Sequence, residues 1–168
     1  DAANRILRDA AKLYDGATDA EKKTLDRDMA EAYALRGFAR LYLTNIFGHQ
    51  VKVNGKDFSD QPGIVIADKV VSTTEQVKRA TVGESYAAIV SDLKNALTRF
   101  TAAGGDRGSK VYLGVAAVHG LLARTYLYME NWDEAITHAR AELDSAKVTS
   151  LADTPAAYRA LYAGEQSN

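Results

Sequence analysis

The chain has 168 residues, 46% of them apolar and 26% charged, with a formal net charge of -1 and no cysteine. That length carries one domain with a real core without demanding two, and a near-neutral, mixed-sign surface is not the footprint of a nucleic-acid or anionic-membrane binder. Without cysteine there is no disulfide framework, thiolate zinc site or cysteine nucleophile, and no apolar run reaches the ~18 residues a bilayer span requires.

Asp1 to Tyr14 places Ile6, Leu7, Ala10, Leu13 and Tyr14 at helical spacing, and Asp15-Gly16 ends the helix. Thr18 and Glu21 form a capping box, in which hydroxyl and carboxylate each satisfy an orphan backbone N–H. The helix they open runs to about Phe47. Its first half is charged around Leu25 and Met29, and Asp26, Asp28 and Glu31 are expected to be solvated. Its second half sets Ala32, Leu35, Ala39, Tyr42 and Ile46 on one face, Phe38 and Leu41 on another, and Gly48 closes it.

His49 to Ala80 is the least regular region, punctuated by Gly55, Pro62 and Gly63. Ile64-Val65-Ile66 and Val70-Val71 are its only β-like runs. A connection of this length exceeds the ~12–15 residues of ordinary loops, which marks an insertion with its own structure or function. Thr81 and Glu84 form a second capping box, opening a helix with Tyr86, Ile89, Leu93 and Leu97 inward. A glycine-rich turn, 103–108, follows.

Ser109 to Ala146 reads as a helical hairpin, two apolar-periodic arms separated by Glu130 and Asn131. The first arm carries Val111, Val115, Val118, Leu122 and Met129 on one face and Ala116, Ala117, Gly120 and Ala123 on another, the pattern of a helix buried between partners. Against the tetratricopeptide pattern, Leu122, Tyr126 and Ala135 fall on consensus residues, with Ala123 in place of the glycine. The segments 30–47 and 81–100 read as an earlier pair that carries the insertion between its helices. Val148 to Asp153 is expected to be loop. Thr154-Pro155 then reads as an N-cap with proline at the first helical position, opening a short terminal helix with Ala156, Tyr158, Leu161 and Tyr162. The fold class is therefore all-α: tetratricopeptide-like hairpins, an α-α superhelix, with a long irregular insertion.

The catalytic inventory is thin. His119 and His138 lie on the two arms of the hairpin, at what the sequence suggests are different heights, and packing is the favoured reading. No Gly-x-Ser-x-Gly elbow is present, and Gly104, Gly105 and Gly108 lack a phosphate-loop lysine and a preceding strand. Tyr33, Tyr42, Tyr126 and Tyr128 read as interhelical packing, and so does Trp132. Asn54, Asp57 and Phe58 are the candidate ligand residues, because a loop aromatic beside amide and carboxylate groups offers a flat apolar face and hydrogen bonds to a sugar. The competing reading makes Phe58 the anchor of the insertion. The Asn54, Asp57 and Asp60 spacing does not match an EF-hand loop.

Several stretches together resemble the SusD/RagB family. Ala30 to Gly48, AEAYALRGFARLYLTNIFG, is similar to its AEA-x-x-LR-A helix ending in (F/Y)G. Gly63-Ile64-Val65-Ile66 resembles its "GIPL" strand without the proline. Arg79 to Leu93 resembles "R-x-T-V-x-E-x-Y-x-x-I-x-x-DL", Leu122 to Tyr128 with Trp132 resembles the "LLARVYLY…W-x-x-A" hairpin, and Ser150 to Thr154 with Tyr158 and Leu161 resembles the segment after it.

The resemblance implies a non-catalytic, glycan- or nutrient-binding lipoprotein of the outer-membrane surface. Its partners would be an oligosaccharide and a SusC-like TonB-dependent transporter, with no nucleic acid and no cofactor. Membrane attachment would be only through a lipidated cysteine upstream of this chain. The start at Asp1, already in helix, and the much greater length of family members lead us to expect residues 1–168 to be the single helical N-terminal domain of a longer protein. The alternative is a tetratricopeptide-like scaffold that binds a peptide or protein.

Overall fold

A computed structural model describes residues 1–72, 74–109, 111–147 and 154–163, without the side chains of 161–163. Its elements are α1 (Ala2–Tyr14), α2 (Asp19–Phe47), β1 (Lys52–Val53), β2 (Lys56–Asp57), β3 (Pro62–Val65), β4 (Arg79–Thr81), α3 (Val82–Ala103), α4 (Val115–Tyr128), α5 (Trp132–Ser145) and α6 (Pro155–Ala163). Both capping boxes form: the Thr18 and Thr81 hydroxyls accept from the Glu21 and Glu84 N–H groups, and each glutamate carboxylate accepts from its threonine N–H. Thr154 caps α6 through the Ala157 N–H. The loop expected over Val148–Asp153 lies outside the described residues.

The expected helical pairs are present. α2 packs most extensively on α3, and α4 on α5. Gly37 allows the first pair its close approach, since a Cβ there would sit 2.9 Å from the Leu93 side chain. The core is built from Ala30, Ala34 and Leu41 of α2, Ile89, Leu93 and Phe100 of α3, and Val118, Leu122 and Tyr126 of α4, with Ala135 of α5 completing it. The three tetratricopeptide consensus positions thus all lie inside.

Polar groups organise this core as firmly as apolar ones. Asp92 on α3 is 2% exposed and accepts from Arg36 through Nε at 2.9 Å and Nη2 at 2.6 Å, and from Arg40 Nη1 at 2.7 Å. Arg36 also donates to Asn4 Oδ1 on α1 at 2.6 Å. The Asn4 amide in turn donates to the carbonyls of Ala67 and Lys69 at 3.0 and 2.9 Å, and Arg40 reaches the Ala67 carbonyl and the Asp68 carboxylate. One carboxylate so joins α1, α2, α3 and the insertion. A second buried carboxylate, Asp26, accepts from Tyr14 at 2.8 Å and Arg99 at 2.6 Å. This corrects the expectation that Asp26 is solvated. Asp28 and Glu31 hold Arg107 from the α3–α4 connection.

Other expectations fail on exposure. Of the stripe Ala32, Leu35, Ala39, Tyr42 and Ile46, only Ala32 is buried, and Tyr42 is 60% exposed. The core takes the neighbouring positions Ala34, Gly37, Leu41 and Thr44 instead. Val111 is exposed, and α4 starts only at Val115, whose N–H is capped by the Asp106 carboxylate at 2.7 Å. Trp132 is 56% exposed rather than packed.

The insertion is more ordered than its composition implies. β1 and β2 form a hairpin with Lys52 opposite Asp57, turning at Asn54 (φ 51°) and Gly55 (φ 75°). This Asn-Gly pair is the left-handed turn that matches strand twist. β3 pairs antiparallel with β4, the latter leading directly into α3. The Ile64-Val65-Ile66 expectation is met in β3 for Ile64 and Val65 but not for Ile66, and Val70-Val71 forms no strand. Gly63 is required by close approach: a Cβ would collide with Ser85 Oγ and the Thr81 carbonyl oxygen. Arg79 ties the unit to α2, donating to the Gly63 and Phe47 carbonyls at 2.7 and 2.6 Å.

His119 and His138 are not at different heights. Their Nδ1 atoms lie 2.9 Å apart across the α4–α5 contact, so one ring donates and the other accepts. His138 also stacks on Tyr126. Glu142 and Glu134 from α5 and Lys94 from α3 are the charged groups felt there. Burial is the largest cause holding both imidazoles below their ordinary value, with the neighbouring His119 adding to the effect on His138.

Two outcomes follow from these contacts. Asp92→Ala leaves two guanidinium groups facing an emptied site and is expected to cost about 3 kcal/mol, read from the urea midpoint at constant m-value. As pH falls through the ordinary imidazole value of 6.5, the unfolded chain takes up protons before the folded hairpin does. Stability from the pair is therefore full above that window and declines as pH falls below it. Melting temperatures between neutral pH and pH 5 are expected to drop less for the double variant His119→Asn, His138→Asn than for the unmodified chain.

Candidate functional site

Asn54, Asp57 and Phe58 all fall on or beside the β1–β2 hairpin. Asn54 sits exposed at its tip. The Asp57 carboxylate accepts from the Ser59 N–H at 2.7 Å. That backbone hydrogen bond is the largest cause holding its carboxyl below the usual range, followed by the Ser59 side chain, with Lys52 assisting. Phe58 is half-buried. Its ring stacks on His49, 4.2 Å between centroids, and the Lys56 ammonium lies 5.1 Å from it. Its backbone N–H donates to Val51 and its carbonyl accepts from Gln61, closing the hairpin base. Phe58 thus has the contacts of an anchor.

The hairpin tip is tied to the helical domain. The Gly55 N–H donates to Glu130 Oε2 at 2.9 Å, and Glu130 itself adopts φ 52° in the turn between α4 and α5. Between hairpin and turn lies a cleft of about 390 Å³ lined by Val51, Lys52, Met129, Glu130, Asn131, Trp132 and Asp133. Below it, Val51 packs with Val82 and Tyr86, against Tyr128 and Met129. Burial pushes the Tyr86 hydroxyl up to about 12, with Tyr128 adding to the shift. Asn131 is the N-cap of α5, accepting from the Glu134 N–H, so the first turn of that helix presents Trp132 and Asp133 together at the cleft.

The arrangement offers an exposed indole beside amide, carboxylate and ammonium groups. This suits a ligand with apolar ring faces and hydroxyl edges. Trp132 is the residue that sequence reasoning assigned to packing. Its place at the first helical position was no signal of exposure, since Val82 holds the same position in α3 and is fully buried. The structure brings Asn54, Asp57 and Phe58 onto the same hairpin as Val51 and Lys52.

Elsewhere, a polar cavity of about 590 Å³ borders Asn4, Arg36, Arg40 and Asp92, whose polar groups are engaged with one another. Among the described residues no group of three or more His, Cys, Asp or Glu is placed to hold a metal ion, and no helix is long and apolar enough to cross a membrane.

Residues 2–127 match the model of the SusD-like family described as "Starch-binding associating with outer membrane". No curated protein sequence matches. Among solved structures, a protein of Bacteroides vulgatus is 30% identical with a TM-score of 0.76, over 86% of this chain and 30% of its own. A SusD superfamily protein of Bacteroides thetaiotaomicron is 27% identical with a TM-score of 0.72, over 84% and 29%. A SusD-like carbohydrate binding protein of Bacteroides vulgatus is 27% identical with a TM-score of 0.68, over 89% and 31%. The chain therefore spans less than a third of the length of these solved relatives. On the extent of the family match and the shared helical fold, the chain belongs to the SusD-like family.

Proposed function

We propose that this chain is the helical part of a non-catalytic glycan-binding protein, acting at the outer-membrane surface with a SusC-like TonB-dependent transporter. The family match over residues 2–127 carries the reading. Support for a sugar as ligand comes from the relative described as carbohydrate binding and from the cleft with its exposed Trp132. In this reading the indole stacks on a pyranose face, while Asn131, Asp133 and Lys52 meet hydroxyl groups. Asn54 and Asp57 extend the polar edge from the hairpin. Phe58 holds that hairpin in position, so its part in binding is to fix the cleft wall. Attachment to the membrane would be through a lipid anchor upstream of these residues, and the uptake complex would supply the transport step.

Affinity electrophoresis of the full-length protein through gels containing soluble starch tests the reading. Retardation is expected, and Trp132→Ala is expected to weaken binding by about 1–2 kcal/mol, the scale of losing a well-placed aromatic anchor. Asn54→Ala and Asp57→Ala should each weaken it less. Phe58→Ala should lower both binding and melting temperature, because the His49 stack is lost with the ring. Equal mobility of Trp132→Ala and the unmodified protein in starch would remove this cleft from the site. No retardation of either on starch or other glucans would count against a glucan ligand altogether.

A further inference from the structure

Away from the cleft, the α4–α5 contact brings together side chains that suit a metal ion. His119 of α4 and His138 of α5 face each other through Nδ1 atoms 2.9 Å apart. Packing fixes the rings: the His138 side chain is 12% exposed, and its plane lies 5° from parallel with the Tyr126 ring. On α5 a carboxylate sits one turn to either side of His138. Glu134 Oε2 is 3.6 Å from His138 Nε2. The Glu142 carboxylate lies against the Gly120 backbone, its Oε1 2.6 Å from where a Cβ would stand, and its charge is felt at His119. Lys94 on α3 is the cation felt at His138. Two carboxylates against one ammonium leave a net negative surrounding.

Two facing imidazoles can share a proton or a metal ion. In the hydrogen-bonded pair one Nδ1 carries the proton and the other accepts it, and neither carboxylate takes part in that bond. A bound cation would use all four groups. At a zinc–nitrogen distance of about 2.0–2.1 Å, nitrogens with this separation both reach the ion at an angle of about 90°, and ring rotation that parts them by roughly 0.4 Å gives the tetrahedral angle. Both Nδ1 atoms then supply lone pairs. The donating ring's proton passes through water to its own Nε2, so no proton is gained or lost. His138 Nε2–H then faces Glu134, the carboxylate–histidine–metal arrangement that holds a ligand ring in place.

We propose that His119 and His138 form a two-histidine site for Zn²⁺ or a similar borderline divalent cation, with water in the remaining positions and Glu134 and Glu142 orienting the rings and balancing charge. Imidazole nitrogen selects this class over Mg²⁺ and Ca²⁺, which take oxygen ligands. A bound ion clamps α4 to α5 across a contact in which Ala135 is the single buried residue of α5. The site is separate from the cleft and independent of the sugar reading.

The test uses the full-length protein without a histidine tag. Zinc chloride is expected to raise its melting temperature, and magnesium chloride to leave it unchanged. The double variant His119→Asn, His138→Asn is expected to lose the zinc-dependent rise. Glu134→Gln is expected to weaken zinc binding, read by calorimetric titration, by about tenfold. Should the double variant fail to fold, nitrogen NMR of the imidazoles in the unmodified protein reads the same contact: zinc should shift both Nδ1 resonances while both Nε2 stay protonated. No zinc-dependent rise in the unmodified protein overturns the proposal. So does an equal rise in the double variant, and so do zinc-induced shifts that leave the two Nδ1 resonances in place.

Discussion

Asp92 is the constraint on which the rest of this structure depends. A carboxylate at 2% exposure persists only with partners that replace water on every side, and Arg36 and Arg40 supply three donors to it. Both arginines belong to one face of α2, a turn apart, so the requirement fixes the rotation of α2 against α3. Each arginine then has donors to spare, which reach Asn4 on α1 and Ala67 and Asp68 in the insertion. A chain segment with little core of its own is thereby held by charge-assisted hydrogen bonds rather than by apolar burial.

The consequence appears at the far end of the insertion. With 67–69 held by the arginine network and 62–65 paired to β4, the β1–β2 hairpin has limited freedom, and the Phe58–His49 stack and the Gly55–Glu130 contact are enough to settle it. The hairpin then forms one wall of the cleft whose other wall is the first turn of α5. Scaffold and site are coupled in this sense: helical packing places Asn131 and Trp132, and the insertion decides how much of the indole's surroundings are polar.

Helix positions and the α4–α5 hairpin were legible in the sequence, because capping boxes and three-and-four spacing act locally; its burial was not, since Ala135 is the only buried residue of α5. Thr18 with Glu21, Thr81 with Glu84, and the Leu122–Tyr126–Ala135 set all do in the structure what their spacing implies. What was not legible depended on which of two apolar faces wins the core. On α2 both faces qualify, and the smaller residues Ala34 and Gly37 were chosen because they admit α3 at close range, leaving Tyr42 outside. Asp26 read as an ordinary solvated helix carboxylate because its ion-pair partner Arg99 lies 73 residues away, and nothing local marked Asp92, whose arginines lie 52 and 56 residues away. The Asn54-Gly55 turn was a local signal that went unused. Around the candidate cleft, sequence reasoning picked Asn54, Asp57 and Phe58 on the neighbouring hairpin, none of which lines the cleft itself, and set Trp132 aside, since a tryptophan opening a repeat helix reads as packing until its exposure is seen.

A crystal structure of the full-length protein with a bound malto-oligosaccharide tests the central claim most directly, that the helical scaffold and its insertion together present a sugar site at Trp132. The account predicts a glucose ring stacked on the Trp132 indole, with hydroxyl contacts from Asn131 or Asp133 and the β1–β2 hairpin in its present position. A sugar bound elsewhere, with the Trp132 cleft empty or filled by other parts of the polypeptide, would contradict it.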